Sequence, residues 1–482
     1  MLSIILSVFF VISKIQAQVD IFWTKTLGSN GGEEGYSVRQ TEDGGYIITG
    51  VIAYFGTENH DVWLIKTNSS GDTLWTKTYG GSEHEWGYSV QQTNDEGYII
   101  TGVTSSFGTG GHDVWLIKTN AAGDTLWTKT FGGIYSDQGY SLQQTKDGEY
   151  IITGYTDSFG ARGGGDIWLI KTNPSGDTLW TKTYGGNGSD IGCSVQQTMD
   201  GGYIITGETS SFGAGGIDVW LIKTTASGDT LWTKTFGGSS YDYGQSVQQT
   251  LDYGYIITGI TSSFGDVMGD IWLIKTNASG DTLWTKTFGG SGNDQSYSIQ
   301  QTMDGGYIIT GETSSFGAGG IDVWLIKTTA SGDTLWTKTF GGSSYDYGQS
   351  VQQTIDEGYI ITGLTMSFGA GNHDIWLIKT TPDVSTIEKA YLGTPSDYRL
   401  SQNFPNPFNP KTTFEFSITK SDRVTVSIYN ISGQLFESKT INLNPGLYSY
   451  EFDGIKYSSG IYFYRISTSS GYTAGRKMVL LK

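Results

Sequence analysis

Cysteine is nearly absent. Cys193 is the one thiol in 482 residues, so no intrachain disulfide and no Cys-based metal cluster can form, and stability has to come from packing. Basic residues are also few, 29 Lys and Arg against 47 Asp and Glu, a formal charge of −18. Such a chain repels polyanions, which argues against nucleic acid or an anionic membrane surface as partner. Proline is scarce and uneven: six of the seven lie after Thr381. Long hydrophobic runs are missing too. The apolar stretch 2–12 is shorter than the roughly 20 residues a membrane span needs. Followed by Ile15-Gln16-Ala17, a small-residue cleavage site, it reads as a secretory signal over 1–18, although its n-region has no Lys or Arg beyond the amino terminus. No transmembrane segment is expected in the mature chain.

What the chain has in quantity is glycine, 71 residues, and aromatic side chains, 14%. That mix fits many short strands joined by Gly-rich turns. One unit recurs seven times. W-T-K-T begins at Trp23, Trp75, Trp127, Trp180, Trp232, Trp284 and Trp336, and D-[VI]-W-L-I-K sets its Trp at 63, 115, 168, 220, 272, 324 and 376. Both series advance by 52 residues, with one step of 53. In the fourth unit, strand-like runs at 194–198, 203–209, 218–224 and 230–235 alternate with turn signals. The third run is apolar on both faces, Val219 and Leu221 against Trp220 and Ile222, and so needs cover on both sides.

Four strands per unit and a period near 50 predict propeller blades. The repeats begin with a fourth strand (22–26) and end with a third (374–380). Docking the first beside the last completes a seventh blade and leaves no edge unpaired; an open solenoid would need capping units. The predicted fold is all-β: a seven-bladed β-propeller of four-stranded blades over 19–381, its N-terminal strand closing the last blade. Residues 196–250 are identical to 300–354, the mark of a two-blade duplication.

The recurring G-G-x-x-x-D-x-G-x-S-x-Q-Q-T-x-D-x-G-Y-I-I-T-G-x-T-S-S-F-G resembles the bacterial β-propeller repeat family, whose members are commonly extracellular. The run Gly228-Asp229-Thr230-Leu231-Trp232 resembles the tryptophan-docking motif of quinoprotein propellers, which implies that a Trp from each blade packs on its neighbour. The adjacent cysteine pair of quinoprotein dehydrogenases has no counterpart here, so only the packing role is carried over.

After Thr381 the composition changes, and all fifteen tryptophans lie before it. Residues 382–398 read as a linker. Beyond them, alternating patterns at 413–418, 424–430 and 460–467 predict a small Ig-like β-sandwich over 399–482. N-F-P-N-P-F-N-P at 403–410, Y-N-I-S-G-Q at 429–434, S-G-I-Y-F-Y at 459–464 and the terminal K-M-V-L-L-K closely resemble the type A C-terminal sorting domain of the type IX secretion system. The resemblance implies that the secretion machinery is a partner and that the chain crosses the outer membrane, to be secreted or held at the surface.

In an up-and-down blade the two longer loops share one face, and binding groups concentrate on such loops. Candidate ligand groups there are the aromatics Trp86, Tyr135, Tyr241, Tyr243, Tyr345 and Tyr347, able to stack on sugar rings or to fill space between loops. A second set is acidic: Glu33, Glu85, Asp137, Asp190, Asp242, Asp294 and Asp346. Its carboxylates could ring the channel mouth and attract cations or a polyhydroxyl ligand; alternatively each bonds its own turn, as expected of a group present in every blade. The same two readings hold for Asp61, Asp113, Asp166, Asp218, Asp270, Asp322 and Asp374 before the third strand. A third series, with Asp95, Asp200 and Asp304, sits in tight turns and reads as structural. No calcium-loop motif D-x-D-x-D-G occurs, so no cofactor is assigned and calcium stays unsupported. His60, His112 and His373 share one slot in three consecutive blades and His84 lies in a loop between two of them; blades stacked about 10 Å apart hold equivalent positions too far apart for one metal.

No nucleophile elbow, zincin helix or nucleotide loop is present, and near-perfect repetition works against the asymmetric constellation that catalysis needs. The expectation is a non-catalytic exported propeller that binds a glycan or protein ligand. The alternatives are a polysaccharide lyase or hydrolase on a propeller and a purely architectural surface protein.

Overall fold

The computed structural model describes residues 19–53, 59–160, 163–266, 268–382, 387–391, 395, 397–443, 445–455 and 457–482. The signal-peptide expectation, 1–18, lies outside them. Contacts divide the chain into a repeat unit, Asp20–Pro382, and a C-terminal unit that begins at Asp383.

Among the described residues the repeat unit holds seven four-stranded antiparallel sheets. In the fourth blade the order from the axis outward is Asp190–Gln197, Tyr203–Thr209, Asp218–Thr224 and Thr230–Phe236. The first blade begins with Gly32–Gln40. The seventh sheet runs Asp346–Gln353, Tyr359–Thr365, Asp374–Thr380 and then Ile21–Leu27. Its outer strand is therefore the N-terminal one, with Thr26 opposite Trp376, as the broken ends of the repeat require.

The third strand of each blade is buried on both faces because its two apolar rows serve two interfaces. In the first blade Val62 and Leu64 pack with Val90, Tyr98 and Trp115 of the second. Trp63 and Ile65 pack with Ile360, Ile375 and Leu377 of the seventh, and this last contact closes the ring. Each such row removes apolar surface from water, the main favourable term in a chain without disulfides.

Two polar devices repeat around the ring. Inside each blade a third-strand lysine is buried and reaches back to the tight turn between the first two strands. Lys223 Nζ meets Asp200 at 3.0 Å and donates to the Thr224 carbonyl at 2.9 Å. Five more blades repeat the pair at 2.8–3.0 Å, and in the third Lys171 meets Glu149 at 3.0 Å. The third Asp series is structural, as expected. Between blades, the outer-strand lysine pairs with the aspartate of the next blade's Gly-Asp turn, as Lys182 does with Asp229 at 3.0 Å.

In the C-terminal unit one sheet is ordered Ile387–Tyr391, Gly446–Asp453, Lys411–Ile418, Arg399–Leu400, and the other Leu435–Leu443, Asp422–Asn430, Gly460–Thr468, Thr473–Leu480. Alternate residues of both sheets, among them Phe414, Val426, Tyr450, Tyr464 and Met478, form one core. The span read as a linker, 382–398, thus contains a strand: Ile387 pairs with Tyr450 and Lys389 with Tyr448. Its alternation over five residues is too short to stand out beside the proline-bordered segment around it.

Candidate functional site

Each first strand lines the central channel and starts on the long-loop face. The acidic residue that opens it is turned inward. Glu33, Glu85, Asp137, Asp190, Asp242, Asp294 and Asp346 are all fully buried. Asp242 accepts hydrogen bonds from the Gly238 N–H at 2.9 Å, the Ser263 hydroxyl at 2.6 Å and Thr261. Glu85 does the same with Gly81 N–H, Thr104 and the Ser106 N–H. These carboxylates clamp the two long-loop segments together and offer no ring of charge at the channel mouth, which corrects that part of the sequence reading. The physical reason is the one that weighed against it: every blade must satisfy the same loop N–H groups. In the series before the third strand, Asp218 accepts from Ala214 N–H at 2.7 Å and Gly215 N–H at 3.2 Å, so it too holds its loop.

The aromatic candidates divide by exposure. Tyr135, Tyr241 and Tyr345 are 59%, 54% and 47% exposed, and Tyr241 stacks on half-buried Tyr243, ring centroids 6.5 Å apart. Tyr347 is half-buried as well. Trp86 belongs to a denser cluster. Its ring stacks on His84 at 5.6 Å and His60 at 6.1 Å and meets His112 edge-on at 5.8 Å. His60 and His84 approach through their Nδ1 atoms at 3.1 Å, because His84 comes from the inter-blade loop and not from an equivalent slot. The equivalent positions have separate partners: His112 Nδ1 lies 2.7 Å from the Ser105 hydroxyl, and His373 Nε2 lies 3.4 Å from Glu34. Among the described residues no three His, Cys, Asp or Glu side chains converge as metal ligands would.

Sequence reasoning missed a row of channel residues. The bulge in each first strand falls between the residues numbered 35 and 37 in the first blade and at the same place in the others. The extra residue is Tyr36, Tyr88 and Tyr140 in three successive blades, and these rings form an arc, 5.1 and 5.4 Å between centroids. Three glutamates stand among these and neighbouring first-strand residues, in the first, fourth and sixth blades. Glu34 accepts from the Tyr36 hydroxyl at 2.7 Å; burial works to raise its pKa, but His373 and Tyr36 outweigh it and hold the group below the ordinary value. Hydrogen bonding to Glu34 in turn raises His373. Glu208 and Glu312 are different: burial pushes each up to about 7. Glu312 accepts from the Tyr297 hydroxyl at 3.0 Å, which offsets part of that effect. The signal lay in the variable position that follows Y-I-I-T-G, occupied by Val51, Val103, Tyr155, Glu208, Ile260, Glu312 and Leu364.

The repeated scaffold, with chemistry confined to a few variable positions around the channel, defines a β-propeller repeat protein. Residues 402–481 match the family described as the secretion system C-terminal sorting domain, so the chain is exported across the outer membrane, to the cell surface or the medium. No curated protein matches it. Among solved structures it is similar to a fungal alcohol oxidase of the AA5 family in complex with copper, at 10% identity and TM-score 0.45 over 97% of this chain and 100% of that one. It is also similar to a puromycin hydrolase, at 10% identity and TM-score 0.42 over 84% and 60%. Among the described residues no helix is long and apolar enough to cross a membrane.

Proposed function

We propose that this exported propeller is a binding module for a glycan, held on the long-loop face in the sector of the first, second and seventh blades. The observation that carries the reading is the Trp86–His60–His84–His112 cluster beside the tyrosine arc and Glu34. Sugar rings offer apolar C–H faces to aromatic planes and hydroxyls to carboxylate and imidazole, and a recognition site needs both kinds of group in one place. Exposed Tyr135, Tyr241 and Tyr345 on the other blades supply weaker contacts that add by multivalency on a polymeric ligand.

The test is a polysaccharide binding screen with the purified chain. Saturable binding that Trp86→Ala abolishes, with the thermal midpoint unchanged, supports the reading. Binding only to a protein of the cell envelope replaces the glycan by a protein partner, and no binding at all leaves an architectural role. A second reading, cleavage of a polysaccharide, draws on Glu208 and Glu312, whose carboxyls stay partly protonated at neutral pH as a general acid must. New reducing ends or unsaturated products that disappear in the double variant Glu208→Gln, Glu312→Gln would establish it.

A further inference from the structure

The opposite end of the channel, on the face of the tight turns, opens into a cavity of about 450 Å³ lined by serine and glutamine from all around the ring. Six blades place a glutamine here: Gln91, Gln143, Gln196, Gln248, Gln300 and Gln352. The side-chain oxygen of each accepts the backbone N–H of the following blade's next glutamine, from Gln144 to Gln91 and so on around the ring, at 2.6–2.8 Å. Each carboxamide oxygen is thereby held to the neighbouring first strand, and the Nε2 donors remain for the cavity. The serine row above repeats the pattern, since backbone N–H groups donate to Ser141, Ser194 and Ser298 Oγ at 3.2–3.3 Å and leave the hydroxyl protons to point elsewhere.

The seventh position of this ring is Arg39. It is the single break in the repeated S-x-Q-Q-T, reading Ser37-Val38-Arg39-Gln40-Thr41. Its guanidinium has no ion-pair partner among the described residues, although Glu42 lines the same cavity. The result is a cavity rich in N–H and O–H donors that holds Arg39 and, on the same lining, Glu42, inside a protein whose net charge is −18. Water can satisfy donors, but a donor ring around an arginine fits an oxyanion better than it fits water, because charge-assisted hydrogen bonds are roughly twice as strong as neutral ones.

We propose that the turn-face end of the channel is an oxyanion site centred on Arg39, taking a sulfate, phosphate or carboxylate group of a small molecule or of an acidic sugar. It is distinct from the loop-face glycan sector and does not depend on it.

The experiment titrates the full chain with sodium sulfate, sodium phosphate and sodium galacturonate by calorimetry and thermal shift, against sodium chloride at equal ionic strength. The expected result is a saturable response to at least one of the three that Arg39→Gln weakens at least tenfold. That variant installs the residue found in the other six blades, so its melting in chloride should match the parent, and Gln248→Arg in the same background should restore binding. Which probe binds tightest separates inorganic anions from an acidic sugar. Absence of saturation with all three, or an identical titration for Arg39→Gln, overturns the proposal.

Discussion

The Trp180 indole of the third blade lies against the Cα of Gly228 in the fourth, where an added Cβ would stand 2.8 Å from its Cζ3. Gly228 has φ +79°, a region in which a side chain is strained. The same contact recurs from Trp23 on Gly71 to Trp284 on Gly332. Two demands therefore fall on one glycine, a left-handed turn and a close approach.

The two can be separated. Gly201 sits in the tight turn of the same blade with φ +85° and open space where its Cβ would be. Gly201→Ala should lose only the backbone term, about 1 kcal/mol. Gly228→Ala should lose that and the docking contact, a further cost of roughly 1–3 kcal/mol as in other overpacked sites, and should red-shift tryptophan emission. Equal denaturation midpoints for the two variants would show that the indole yields freely and that docking does not hold blade to blade.

Of the fold, the blade count, the strand order and the closure by residues 21–27 were all readable, because periodicity and the incomplete first and last units fix them. The docking role of the Gly-Asp turn followed from the resemblance of 228–232 to the tryptophan-docking motif, and Trp180 against Gly228 bears it out. The site was read less well. The acidic candidates occur in every blade, and Glu85 and Asp242 are buried clamps for that very reason. The informative positions are those where a few blades depart from the others: Arg39 for glutamine, Glu208 and Glu312 for an apolar residue, Glu34 beside Tyr36. Their environment depends on the bulge in the first strand and on which side chains meet across the channel, and neither follows from the repeat alone.

The buried lysine of each blade sets the acid limit of stability. Lys223 is almost fully buried while its partner Asp200 is largely exposed. For Asp43, burial tends to raise the pKa, but hydrogen bonds from Lys66 and Thr41 dominate and lower it to about 2. Asp95, Asp200, Asp252, Asp304 and Asp356 are lowered in the same way. A depressed folded-state pKa gives stability that is present above the ordinary value near 3.8 and lost as pH falls through the folded value. The melting temperature should therefore drop steeply between pH 4 and pH 2, by about the same amount for each blade. Replacing Asp200 by Asn should shallow that acid limb and lower stability at pH 7, because Lys223 loses its counter-charge. An unchanged acid limb in Asp200→Asn would assign acid unfolding to other carboxylates.

Glu208 and Glu312 act with the opposite sign. Their blades are identical over 196–250 and 300–354, yet the first strands differ just outside that block, where Cys193 stands in one and Tyr297 in the other. Glu312 consequently has the Tyr297 hydroxyl as donor, while burial alone accounts for the raised pKa of Glu208. Both carboxyls rise from an ordinary 4.5 to about 7. A raised folded-state pKa gives stability that is complete below about 4.5 and lost as pH climbs through 7, since ionisation then has to occur in a desolvated site. Thermal melts of the parent should decline across that window. Glu208→Gln, which keeps the shape and cannot ionise, should remove part of the decline, and the double variant with Glu312→Gln should remove most of it. Adding Tyr297→Phe to the parent should steepen the loss, because ionised Glu312 would then lack its donor. If the double variant declines as the parent does between pH 4.5 and pH 7, these glutamates ionise freely, and they lose the property that would suit them to acid catalysis in the channel.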